Sequence, residues 1–302
     1  MTQGTPHETT SRDYSERLMR VLVHIERSLD EPPTLEELAS IAYFSPHHFH
    51  HLFSAHVGES VAAYTRRVRL ERAAARLVHT EDPIPKIGRD AGFESVEGFG
   101  RAFKSSFDIS PAAFRTTLAD DWVARPEALD EEFLRNRISA RIQVPVAGET
   151  PVEITRFASC RVAALRHVGP YHRVGLAWAR LMVWATIRGH MKKTTRCIGI
   201  SYDDPGSIAP KDLRYDACIM VEKAFKPRGK ISTIEIPEME CAVARHTGPY
   251  EGLASTYEYL FGTWLPSSGR EPADFPSFCE HPKPRKGEPK LTLVHVPLAD
   301  AG

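Results

Sequence analysis

The sequence predicts an all-helical N-terminal domain joined to an α+β C-terminal domain, and three observations carry that expectation. A pattern of paired short helices near the N-terminus recurs after about fifty residues, apolar spacing changes from helical to alternating at Pro151, and a second internal repeat, offset by 79 residues, fills the C-terminal half. At 302 residues the chain is long for a single core, so two domains and a linker are expected. The divisions follow the texture: a polar, disordered start over 1–13, a helical domain over 14–116, a charged linker over 117–150 that is partly helical around Glu127–Arg137, and a second domain over 151–302.

The first helix is read from Ser15 to Leu29, where Leu18, Val21, Leu22, Ile25 and Leu29 form one apolar stripe. Glu31-Pro32-Pro33 ends it. Thr34 with Glu37 makes a capping box for a second helix, whose inward residues are Leu35, Leu38, Ala39 and Ala42. Ser45-Pro46, a cap followed by proline at the first helical position, opens a third with Phe49, Leu52 and Phe53 facing inward. Two short helices joined by a tight turn are the helix-turn-helix pattern. It occurs twice: Leu35, Leu38, Ala39 and Phe44 return 49 residues later as Ile84, Ile87, Gly88 and Phe93, and Phe49, Leu52, Phe53, Ser60 and Tyr64 return 50 later as Phe99, Ala102, Phe103, Ser110 and Phe114. The second turn has gained one residue. Between the units Glu59–His79 reads as a continuous helix of about 30 Å, close to the ~34 Å between successive major-groove faces of a duplex.

Charge gives little guidance overall, because 39 basic residues balance 39 acidic ones. Locally, Arg66, Arg67, Arg69, Arg72 and Arg76 are opposed only by Glu71 between Tyr64 and Leu77, which fits either a solvated face or a phosphate-contacting one. His47, His48, His50, His51 and His56 invite a metal reading, but no carboxylate or thiolate partner is evident, so no metal or other cofactor is expected. The five cysteines never form a CxxC pair and read as small buried residues. No apolar run approaches the ~18 residues of a membrane span, and the polar start resembles no signal peptide, so a cytoplasmic protein without membrane contact is expected.

With its GF, its F-x-x-x-F-K spacing and its S-P-x-x-F-R ending, the segment Gly92–Arg115 makes residues 14–116 resemble the AraC/XylS family of regulators. Asp108 stands where that family often has glycine. The resemblance implies double-stranded DNA as partner. It puts base-reading side chains at Pro46, His47, His50 and His51 in the first unit and at Val96, Glu97, Gly100 and Arg101 in the second, with Arg66 and Arg67 on phosphate. Arg101 is the side chain best suited to guanine.

Beyond the linker, VEITRF and CRVAALRH alternate as strands do. Two RH-x-GPY motifs begin at Arg166 and Arg245, each opening an aromatic-rich helix (Tyr171–Arg188, Tyr250–Trp264), and each half closes with two strands, CIGISY and YDACIMVEK in the first, SFCEH and LTLVHVPL in the second. The expectation is a duplicated β-β-α-β-β unit with a cleft between pseudo-two-fold halves. Tyr171, Trp178, Trp184, Tyr202, Tyr250, Tyr257, Trp264 and Phe278 are candidates for that cleft, though each could equally be core. Alternation puts Phe278 and Glu280 on one face; an acid on an aromatic face needs a partner, and an edge-strand glutamate is the plainer alternative.

The RH-x-GPY pair, IGISYDDP and the E-x-x-P-x-L-T-L-x-x-P-L ending together resemble the GyrI-like effector-binding domain. That resemblance implies a pocket lined by Tyr171, Trp178, Tyr202, Tyr250, Trp264 and Phe278 with Glu280 at its base, meeting a cationic, lipophilic ligand. Pro282 stands where the family commonly has tyrosine. The expected function is a ligand-sensing transcription regulator, not an enzyme, that contacts RNA polymerase and acts as a monomer, since one chain holds two reading heads. Two alternatives stand beside it: a hydrolase of a reactive small molecule using Glu280 as general base, and a DNA architectural protein whose second domain docks partners.

Overall fold

The computed structural model describes residues 6–117 and 151–300, apart from 193, 204, 207, 228 and 284–288. The expected linker, with its helix around Glu127–Arg137, lies outside the described residues from 118 on. Helices α1 (Pro6–Arg27), α2 (Leu35–Ile41) and α3 (Pro46–Val57) make the first helical unit. The spacer α4 (Val61–His79) leads to α5 (Ile84–Asp90), α6 (Val96–Phe107) and α7 (Pro111–Thr117). α1 begins well before Ser15, so the start expected to be disordered over 1–13 is helical from Pro6 on.

Local chemistry fixes these boundaries. Glu37 N–H donates to Thr34 Oγ1 and Thr34 N–H to Glu37 Oε2, the reciprocal pair of a capping box. Ser60 and Ser95 cap α4 and α6 by accepting from Ala63 N–H and Gly98 N–H. Ser45 makes no such bond, and Pro46 alone sets the start of α3. The repeat also shows in the backbone. The two turns carry a left-handed residue at equivalent places, Tyr43 (φ 56°) and Gly92 (φ 82°), and the recognition helices end on another pair, Gly58 (φ 80°) and Asp108 (φ 62°). A Cβ on Gly92 would lie 2.4 Å from Arg69 Nη1, so that turn needs glycine twice over.

The C-terminal domain is one eight-stranded antiparallel sheet: β1 (Val152–Phe157), β2 (Cys160–Val168), β3 (Cys197–Ser201), β4 (Arg214–Val221), β5 (Ile231–Ile236), β6 (Met239–Thr247), β7 (Phe278–Glu280) and β8 (Leu291–Pro297). Their spatial order is β1-β6-β8-β7-β3-β4-β2-β5, with β3 and β7 pairing at the centre. Replacing each of β1–β4 by its counterpart in β5–β8, and the reverse, returns the same order read backwards. Helix α8 (Val174–Ile187) covers one half through Ala177, Leu181 and Ala185 against Ala163, Ala217 and Ile219. Over the other half lie α9 (Leu253–Tyr259), a π-helical turn (Leu260–Trp264) and α10 (Leu265–Ser268). Both helices share a face, because register aligns Ala217, Gly199 and Cys279 across three neighbouring strands.

The cores divide differently from the sequence. Leu70, Leu77, Ile87, Phe99, Phe103 and Phe114 form a self-contained core for the second helical unit. The first unit has none of its own: Leu22, Leu38, Phe49 and Phe53 run without a break into Phe261, Leu265, Val294 and Val296 of the sheet domain.

Candidate nucleic-acid interface and effector seam

Helix α6 presents the face expected to meet DNA. Phe99 and Phe103 point inward, while Val96, Glu97, Arg101 and Lys104 are exposed, and nothing lies within 4 Å of the place a Cβ on Gly100 would take. The arginines of α4 mostly serve the protein. Arg67 is paired with Glu59 and Glu71, Arg72 with Asp30, and Arg76 with Asp82 and Asp90, tying the spacer to both units. Arg66 is exposed.

Helix α3 is placed otherwise. Its outward face, carrying His47, His48 and His51, lies against the sheet domain, and Pro46 and His47 are half-buried. His48 is fully buried; its Nε2–H is shared between the carbonyls of Ala273 and Phe275, each at 3.0 Å, and Ser277 Oγ lies 3.4 Å from Nδ1. Burial, reinforced by His50, holds the His48 imidazole down at about 3, against the pull of those carbonyls. The ring of His51 lies nearly parallel to Tyr257 (4.7 Å, 7°) and Phe261 (4.8 Å, 12°). His50 is buried beside it, and His47 meets Tyr202 edge-on. Tyr14 donates to the Arg270 carbonyl, Arg17 pairs with Glu271, and Ser60 donates to the Gly206 carbonyl. The sheet domain thus covers much of the face of α3 that was expected to meet DNA.

Between α8 and α9 the shared helical face of the sheet carries a seam of rings. His281 meets Trp178 and Tyr250 edge-on at 5.6 and 5.4 Å; Trp178 Nε1–H donates to Tyr215 Oη at 3.0 Å; Tyr257 Oη lies 3.4 Å from Cys279 Sγ. A Cβ on Gly199 would come within 2.1 Å of Tyr215 Oη and 3.2 Å of His281 Nε2, so glycine makes the floor possible. Tyr171 stands nearby, its hydroxyl donating to the Asp203 carbonyl. Burial keeps these groups uncharged: Cys279 is pushed up to about 11, His281 down to about 4, and Tyr215 and Tyr257 upward. Lys290 Nζ stands 5.4 Å from the Tyr250 ring.

Glu280 is elsewhere. It shares a face with Phe278, as alternation requires, but register puts that face opposite the helices, with Ile198 and Ile200. There Arg196 grips its carboxylate through two bonds of 2.7 and 2.6 Å, and His295 approaches to 3.7 Å. Burial opposes the charge, yet His295 and the Arg196 fork outweigh it and hold the carboxyl at about 2. Tyr202 lies on this far face too, bonded to Asp216 and under Arg166, and Trp264 packs into the core shared with the first unit. Of the expected pocket, then, Tyr171, Trp178 and Tyr250 come together, while Tyr202, Trp264, Phe278 and Glu280 do not join them. Gly199, Tyr215, Cys279 and His281 went unnoticed, although alternation in SFCEH puts Cys279 and His281 opposite Glu280. Apart from the seam, a concavity of about 350 Å³ opens beside Arg166, Arg173, Arg180 and Lys230; it is basic and lacks the seam's rings.

Among known proteins, residues 38–117 match a helix-turn-helix domain and residues 150–294 a GyrI-like small molecule binding domain. The HTH-type transcriptional regulator YbfP of Bacillus subtilis is 39% identical over 103 residues, 34% of this chain and 35% of that one. The right origin-binding protein of Escherichia coli is 35% identical over 104 residues, covering 34% and 35%. Both matches thus span about a third of the relative. The probable transcriptional regulator YgiV of Escherichia coli is 30% identical over 153 residues, 49% of this chain and 96% of YgiV.

Proposed function

Because this chain belongs to the AraC-type regulators that carry a C-terminal GyrI-like domain, we propose that it is a sequence-specific transcription regulator that senses a small lipophilic molecule. The observation that carries this reading is the pairing of an exposed recognition face on α6 with an uncharged aromatic seam in the same chain. The two helical units read successive major-groove faces of double-stranded DNA from one monomer, α4 spacing them, and RNA polymerase is the partner through which binding acts. The sheet domain is a duplication, and its strand order supports a pseudo-two-fold through the β3–β7 pair. The effector lies on that axis, over Gly199, Cys279 and His281. Its charge follows from the floor: with Glu280 facing away and spent on Arg196, and Lys290 over Tyr250, the seam favours a neutral ligand over a cation. The same pairing removes the general base on which the hydrolase alternative depends.

Selection of duplexes from a random pool by the full chain, with sequencing of the bound fraction, tests the proposal. A motif enriched across one or two successive major-groove faces is expected. Enrichment no greater than for an equally charged protein without helix-turn-helix units would overturn it.

A further inference from the structure

The stack on α3 joins the two sites. His51 is one of the positions on the outward face of a recognition helix, yet its imidazole lies over both Tyr257 and Phe261, whose own rings are parallel within 5°. Tyr257 connects that stack to the seam, since its hydroxyl meets Cys279 on the seam floor. We propose that the His51 ring is a tethered occupant of the effector slot, and that an uncharged planar aromatic molecule binds by taking its place on Tyr257 and Phe261, freeing α3 for DNA. This rests on the reading of the seam as the effector site.

Three features define the ligand. Tyr257 and Phe261, parallel within 5° and side by side with centroids 6.4 Å apart, make one flat platform under His51, which selects a planar ring system. The polar groups next to the platform, the Tyr257 hydroxyl and the Cys279 thiol it meets, are uncharged at neutral pH and offer a cation no countercharge. The occupant now present is a neutral aromatic ring, with burial holding His51 far below the usual histidine range. Since ligand and closed α3 exclude each other, while DNA and closed α3 also exclude each other, ligand and DNA must favour one another reciprocally.

The test uses the full chain with acridone, a neutral planar fluorophore, and N-methylacridinium, a cation of like shape. Acridone should bind the parent, and its saturation should speed amide exchange of α3 residues 49–57 by tenfold or more. His51→Ala removes the competitor, so acridone should bind it at least tenfold tighter; His51→Gln, which keeps more of the volume, should shift the same way. Tyr257→Ala should abolish binding. Acridone bound equally or more weakly by both His51 variants would overturn the inference and leave the effector reading intact, His51 then being a bystander or a direct contact. Neither dye binding to the parent or to either variant would overturn both. A preference of the parent for N-methylacridinium would overturn the ligand class.

Discussion

Arg101 is the side chain we propose for guanine recognition by the second unit, with the exposed Glu97 beside it and Val96 and Gly100 offering only shape. Arg101→Ala should reduce discrimination between selected and random duplex by about 1–3 kcal/mol, read from paired titrations. An equal loss on both would reduce Arg101 to a phosphate contact. Glu280 has a different fate from the one its neighbours in sequence imply. Its carboxyl titrates near 2, below the ordinary 4.5, so the stability it supplies is complete above 4.5 and fades as pH falls through 2. Glu280→Gln should cost on the order of 3 kcal/mol at pH 7, from chemical denaturation, and remove that acid dependence without altering acridone affinity. Alternation correctly placed Phe278 with Glu280, but parity cannot say which side the helices will cover. That choice depends on register with β3, three-dimensional information absent from a three-residue strand.

At the scale of elements the helical half was legible from α2 to α7, whereas α1 begins at Pro6, well before the expected Ser15. Caps, prolines and the 49- and 50-residue offsets are short-range signals, and the shift from one offset to the other locates Glu94 as the added turn residue. Its exception is Tyr43, which takes the left-handed conformation that Gly92 takes for nothing in the second turn. Left-handed backbone costs a non-glycine residue about 1–2 kcal/mol, and glycine gives back part of that gain in unfolded-chain entropy. Tyr43→Gly should therefore stabilise the chain by about 0.5–1 kcal/mol in denaturant midpoint, less any contribution of Arg20 stacked on the tyrosine. The arginines of α4 were ambiguous in sequence because their acids lie outside it, Asp30 and Asp82 in loops and Asp90 on α5. Arg66→Ala should flatten the salt dependence of DNA binding. Arg67→Ala should chiefly loosen the Glu59–Arg67–Glu71 tie.

For the whole molecule, no sequence signal announced that the first helical unit shares its core with the sheet domain. Outward histidines on α3 suit DNA or a protein surface equally well, and nothing in their spacing brings Tyr257 and Phe261, about two hundred residues on, to meet them. The closed arrangement carries a pH dependence whose sign can be worked out. His48 sits near 3 and His51 well below its ordinary value when buried, whereas both return to about 6.5 once α3 swings free. The open form thus binds more protons, so closure is strongest above 6.5 and weakens as pH falls below it. At pH 5.5 His48 withdraws about 1.4 kcal/mol from closure, and His51 acts in the same direction. Glu271, raised by burial, works the other way, and its pairing with Arg17 limits that opposition. Tyr257, stacked on His51, and Cys279, at its hydroxyl, stay protonated throughout this range, while the buried His50, 4.0 Å from His51, disfavours charge on it. Amide exchange in α3 should accordingly accelerate tenfold or more between pH 7.5 and 5.5, after correction for intrinsic chemistry, while α6 changes little. In a His48→Gln, His51→Gln double variant most of the acceleration should go, His47, also lowered by burial against the sheet domain, keeping a remainder. Should α3 keep its protection at pH 5.5 in the parent, the histidines are not what acid reaches first, and the hold of the sheet domain on this recognition helix rests on its apolar core instead.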